Sequence, residues 1–136
     1  MPDPKVGDSA QRSMPVTEEH IELFARLSGD RNPLHFDDDF ARRTRFGRRV
    51  VHGGVTSAIL NALVAEDLPG PGSVFMEQNL RYIAPVHPGD VITGQLTVTG
   101  ARQDKPIYTV AVRVTRQDGV VALEGTCVVY VMKPRD

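Results

Sequence analysis

Along "IYTVAVRVTRQ" the residues Tyr108, Val110, Val112 and Val114 fall on every second position, the period of a strand with one buried face. Three other segments in the second half share this texture: "SVFMEQNLRYI", "DVITGQLTVTGA" and "VVALEGTCVVYVM". Turn signals separate them. Asp118-Gly119 between the last two is a strong hairpin signal, and "APVHPGD" makes a proline-stiffened turn between the first two.

The first half has a different period. In "TEEHIELFARLSG", Ile21, Phe24, Ala25 and Leu27 form an apolar stripe at helical spacing. Thr17 is placed to cap this helix, Glu18 and Glu19 suit its first turn, and Gly29 ends it. "DDDFARR" reads as a short turn of helix with Asp37 as its cap. "HGGVTSAILNALVAEDL" is the most apolar helix: Val55, Ile59, Leu60, Leu63 and Val64 cover much of its circumference, and Ser57, Ala58 and Ala62 are small. Such a helix needs to be wrapped. Adding a strand near residues 10–16 predicts an antiparallel sheet of about five strands. An α+β hot-dog fold follows, with the curved sheet wrapped around a central helix. The whole chain, 1–136, reads as one domain, with residues 1–8 expected to be flexible.

Composition narrows the partners. The chain has 136 residues and a net charge of −1, which points to neither nucleic acid nor a membrane surface. Cys127 is the only cysteine, so no intramolecular disulfide forms, and it reads as an inert core residue. No apolar run reaches the ~18 residues of a membrane span, and the polar start lacks a signal-peptide core. The expectation is a soluble, cytoplasmic protein.

The chemistry concentrates in "SGDRNPLHF", which brings Asp30, Asn32 and His35 around Pro33. By residue type this is either a capped structural turn or an acid/base site. His52, at the start of the apolar helix, reads as a residue that packs or hydrogen-bonds locally. His35, Asp37, Asp39 and His52 are metal-ligand types, but their spacing matches no tight ligand motif, so no metal is expected. Arg42, Arg43, Arg45, Arg48 and Arg49 can grip phosphates or form a solvated face beside Asp37, Asp38 and Asp39. Phe75, Met76 and Tyr82 read most simply as core.

The sequence of Asp30-Arg31-Asn32-Pro33-Leu34-His35, then Phe46-Gly47-Arg48, then Val51-His52-Gly53, resembles the signature region of the MaoC-like dehydratases, the (R)-specific enoyl-CoA hydratases. "YIAPVHPGD" and "VMKP" extend the likeness over nearly the whole chain from about Gly7. The resemblance implies a hot-dog fold and reversible hydration of trans-2-enoyl-CoA to (R)-3-hydroxyacyl-CoA, without metal or cofactor. It makes Asp30 and His35 the catalytic pair, Asn32 a residue that orients them, and the Gly53 N–H the donor to the thioester carbonyl. Where several short-chain bacterial hydratases carry a serine, nine residues beyond the helix histidine, this chain has Asn61. The substrate would be carried on coenzyme A or acyl carrier protein, and the assembly would be a homodimer or larger. Two other functions compete. A hot-dog thioesterase needs an acid on or near the central helix, which has none before Glu66. A non-catalytic stabilising subunit of a heterodimeric dehydratase would have lost the pair that Asp30 and His35 retain.

Overall fold

A computed structural model describes residues 3–135. The order is β1 (Ser9–Pro15), α1 (Glu18–Ser28), α2 (Pro33–Phe36), α3 (Asp38–Arg42), α4 (Gly53–Ala62), β2 (Ser73–Tyr82), β3 (Val91–Ala101), β4 (Ile107–Arg116) and β5 (Val121–Val131). The strands form one antiparallel sheet in the order β1-β3-β4-β5-β2. This is the expected hot dog: β3, β4 and β5 form a meander, β1 and β2 flank it, and α4 lies on the inner face.

Alternation explains the inner face. Ile92, Leu96 and Val98 of β3, Tyr108, Val110, Val112 and Val114 of β4, and Leu123, Cys127 and Val129 of β5 are all buried. They meet Val55, Ile59, Leu60, Leu63 and Val64, all buried as the apolar pattern requires. A fully buried aliphatic side chain of this size contributes roughly 1.5–3 kcal/mol, so this layer dominates the stability. The helix sits close because Gly94 of β3 lies under it. A Cβ at that position would be 2.9 Å from Leu63 and 3.0 Å from Ile59.

Four local features differ from the sequence expectation. The apolar helix is α-helical only to Ala62 and then makes a π-helical turn over Leu63–Asp67, where Arg12 of β1 reaches Asp67 at 3.0 Å. The wrapping is one-sided, since Gly53, Ala58 and Asn61 of α4 remain exposed. Leu27 is exposed on α1, whose buried residues are Ile21 and Ala25. Phe75 packs against the core, but Met76 and Tyr82 are exposed, because β2 is an edge strand with a bulge between Phe75 and Glu77.

Of the first eight residues, Met1 and Pro2 lie outside the described residues. Within the rest, the Lys5 N–H donates to Asp8 and the Gly7 N–H to Val98. No described helix is long and apolar enough to cross a membrane.

Candidate active site

The loop after α1 is built by its own side chains. Gly29 takes a left-handed φ of 79°, closing the helix with its N–H on the Ala25 carbonyl. Ser28 Oγ then accepts from the Asp30 N–H at 3.1 Å, and the Asp30 carboxylate accepts from the Asn32 N–H at 3.0 Å. Asn32 Oδ1 accepts from the Leu34 N–H at 3.0 Å and caps α2, with Pro33 in its first turn. The stretch that reads as a loop therefore contains one turn of helix. It turns His35 inward until its side chain is 9% exposed, while that of Asp30 stays 45% exposed.

His35 Nδ1 lies 2.7 Å from the Val50 carbonyl. A carbonyl only accepts, so Nδ1 carries the hydrogen and the neutral ring presents a lone pair at Nε2. That Nε2 faces Asp30 Oδ2 at 3.8 Å, too far for a direct hydrogen bond. Two acceptors thus converge at a spacing that one bridging donor such as water can span.

His52 lies beneath both. It is 2% exposed, its ring centroid is 3.9 Å from that of His35, and its Nε2 donates to the Asp30 carbonyl at 2.9 Å. Its Nδ1 is buried without a hydrogen-bond partner. Phe24 packs against the same ring at 4.9 Å. His52 therefore packs and bonds locally, as its helix-start position suggested, but the residue it holds is Asp30.

Of the metal-ligand types noted in the sequence, only His35 and His52 come together. Asp30 joins them, each residue offering one atom within 4.8 Å of the others. Asp37 caps α3 through the Phe40 N–H, and Asp39 pairs with Arg42.

His52 is the N-cap of α4 but makes no side-chain cap hydrogen bond. The first N–H groups of α4 therefore begin uncapped, with the helix dipole behind them. Gly53 opens this turn against the Tyr82 ring, and a Cβ there would be 2.9 Å from it. Asn61 is exposed two turns along the same helix.

Two groups near the site support it in ways that the sequence reading, which gives Arg49 only a phosphate grip or a solvated face, does not include. Arg49 donates to Glu18, to Asp38 at 2.8 Å and to the His35 carbonyl at 3.1 Å. The hydrogen bonds to Glu18, followed by the one to Asp38, raise its pKa further above the ordinary arginine value. His87 and Asp90, both buried in the β2–β3 turn, form the second group. His87 Nδ1 donates to the Arg49 carbonyl at 2.7 Å, and the His87 N–H donates to Asp90 at 2.9 Å. Burial works to raise the Asp90 pKa, but hydrogen bonds from His87 and Gln117 outweigh it and hold the carboxyl below its usual value. Their spacing of three residues in "VHPGD" was the only available signal, and it reads equally well as a turn.

The MaoC like domain matches residues 4–120. The chain belongs to the MaoC-like dehydratases. Within this family it is similar to the (R)-specific enoyl-CoA hydratase of Aeromonas caviae, with 40% identity over 92% of this chain and 93% of that protein. It is also similar to the (R)-specific enoyl-CoA hydratase of Rhodospirillum rubrum, with 39% identity over 95% of this chain and 89% of that one. A solved structure of the A. caviae (R)-hydratase involved in PHA biosynthesis superposes with a TM-score of 0.91 at 39% identity, covering 95% of this chain and 98% of the other. The A. caviae (R)-hydratase thus has the same architecture over 95% of this chain.

Proposed function

We propose that this enzyme hydrates trans-2-enoyl-CoA to (R)-3-hydroxyacyl-CoA and catalyses the reverse dehydration, with Asp30 and His35 acting together on one water. The observation that carries this reading is the pair of acceptors, Asp30 Oδ2 and His35 Nε2, facing each other at 3.8 Å. A water between them donates one O–H to each. As its oxygen attacks C3, one of the two acceptors takes the proton that the water gives up and then delivers that proton to C2 of the enolate, so both groups return to their starting state. Asn32 keeps the two in register by holding both ends of the intervening turn. Negative charge building on the thioester oxygen would meet the Gly53 N–H at the uncapped start of α4, a donor whose removal in comparable sites costs ~3 kcal/mol. The chemistry calls for no metal or cofactor.

The names of the relatives support the substrate and its hand, and the retained pair argues against a non-catalytic subunit. For a thioesterase, the acid would have to come from Glu66 or Asp67. Asp67 is tied to Arg12 at the far end of the helix. The carrier is coenzyme A or acyl carrier protein. Arg43, Arg45 and Arg48 make no ion pair among the described residues and are the cations of the run left for its phosphates, whereas Arg42 and Arg49 are already paired. The active assembly in this reading is a homodimer.

The test is direct. Purified protein added to crotonyl-CoA should lower the absorbance of the conjugated thioester to an equilibrium value, and chiral analysis should return (R)-3-hydroxybutyryl-CoA. No turnover of crotonyl-CoA or of longer 2-enoyl-CoAs, or mainly (S) product, would remove the proposal.

A further inference from the structure

His35 sits in a helix of four residues, too short to hold itself in place. What fixes it comes from one segment fifteen residues later. The Val50 N–H donates to the Leu34 carbonyl at 3.1 Å, and the Val50 carbonyl accepts His35 Nδ1–H at 2.7 Å. Arg49 Nη1 donates to the carbonyl of His35 itself at 3.1 Å. The rest of this guanidinium is anchored on both sides, through Nη1 to Glu18 of α1 at 3.0 Å and through Nε to Asp38 of α3 at 2.8 Å. Its own backbone carbonyl is held from a third direction by the buried His87.

We propose that Arg49 is a positioning residue for His35: its planar fork, braced by Glu18 and Asp38, sets the main chain that carries the acid/base ring. The inference rests on the acid/base reading given above. An arginine is required rather than any cation, because the fork must donate in its own plane to a carbonyl and two carboxylates at once. A lysine ammonium retains the charge but not this fixed geometry. Releasing the His35 carbonyl frees the backbone end of a side chain whose other end hangs on the Val50 carbonyl. Nε2 then wanders relative to Asp30. A displacement of about 1 Å at a reacting group costs on the order of 100-fold in rate. Arg49 itself only acts through His35, so substrate affinity should be spared.

The experiment compares the full-length protein with Arg49→Lys and with the double variant Glu18→Gln/Asp38→Asn, which keeps Arg49 but removes its braces. Two readouts are taken: kcat and KM for crotonyl-CoA, and the imidazole nitrogen-15 shifts of His35 without substrate. In the wild type the shifts should report a pure Nδ1–H tautomer. Arg49→Lys should lower kcat at least tenfold, leave KM within about threefold, and turn the His35 signals into a tautomer mixture. The double variant should move in the same direction by a smaller factor. Either half missing overturns the inference: wild-type kcat with disturbed shifts, or reduced kcat with the wild-type tautomer. If Arg49→Lys does not fold, the double variant decides on the same criteria. If the wild type does not turn over crotonyl-CoA, the proposed function falls, while the nitrogen shifts still decide whether Arg49 sets the His35 ring.

Discussion

Asp30 and His35 do different work despite their proximity. His35 is committed at Nδ1 and open at Nε2, whereas one Asp30 oxygen is spent on the Asn32 N–H and the other faces the ring. Asp30→Asn preserves the loop, because an amide oxygen can still accept from Asn32, but it removes the carboxylate. His35→Ala removes the ring without touching α2's cap. Each should lower turnover of crotonyl-CoA by about 100-fold or more, the usual contribution of a general acid or base. Circular dichroism should stay close to wild type in both, and so should the melting temperature of Asp30→Asn. His35→Ala should melt lower, because it empties a buried site and leaves the Val50 carbonyl unpaired. A folded Asp30→Asn enzyme with near-native turnover would end the acid/base assignment. At this scale the sequence was informative where a side chain bonds a near neighbour, as with Thr17 and Asp37 at their caps. It was silent about the hold of Arg49 on His35 and of His52 on Asp30. Those bonds end on backbone carbonyls 14 and 22 residues away, and a carbonyl leaves no mark of residue type.

At the level of elements, the β4–β5 hairpin is the most fully specified connection. Gly119 supplies a φ of +84°, and Arg116 grips the Asp118 carboxylate at 3.1 and 2.6 Å while also reaching the Pro85 carbonyl. The Arg116 hydrogen bonds, followed by the one from the Val120 N–H, hold the Asp118 pKa at about 2, below its ordinary 3.8. Because the folded pKa is depressed, the stabilisation is complete above the unfolded value and is lost as pH falls through about 2. Asp118→Asn should therefore melt lower than wild type at neutral pH, with the gap narrowing between about pH 4 and 2. Melting curves across that range check it, and a gap that widened on acidification would contradict the pairing. Elements packed on both sides of a strand were legible by alternation, as in β3 and β4. β2 was legible as a strand but not in its burial, because an edge position and a bulge break the period. The π-helical turn over Leu63–Asp67 left no trace in the spacing of apolar residues.

The whole molecule leaves two sheet edges, and they are unlike. β1 is seven residues long, carries Gln11, Arg12 and Ser13, and ends at Pro15. β2 is ten residues long and exposes Val74, Met76 and Tyr82, with Ile83 following. An unpaired apolar edge of that length invites another strand. The homodimer proposed above therefore pairs β2 with β2 across a two-fold axis, continuing the sheet from one protomer into its partner. Light scattering at micromolar concentration should give about twice the 14.9 kDa chain mass. Charged substitutions at Val74 and Met76 should shift the mass toward one chain. An active species of single-chain mass would show that the edge needs no cover.

The strand order also has a consequence for how the protein comes off the ribosome. β2 has a single neighbour in the sheet, β5, the last strand to be synthesised. The turn that follows β2 carries Val86 and His87, whose bonds to Val51 and Arg49 hold the segment on which His35 hangs. Asp30, His35 and His52 all emerge long before that strand exists. Translation runs from the N-terminus, so the acid and base wait unplaced for most of it. A chain stalled between residues 54 and 120 would contain every residue of the proposed chemistry but lack β5, the strand on which β2 pairs.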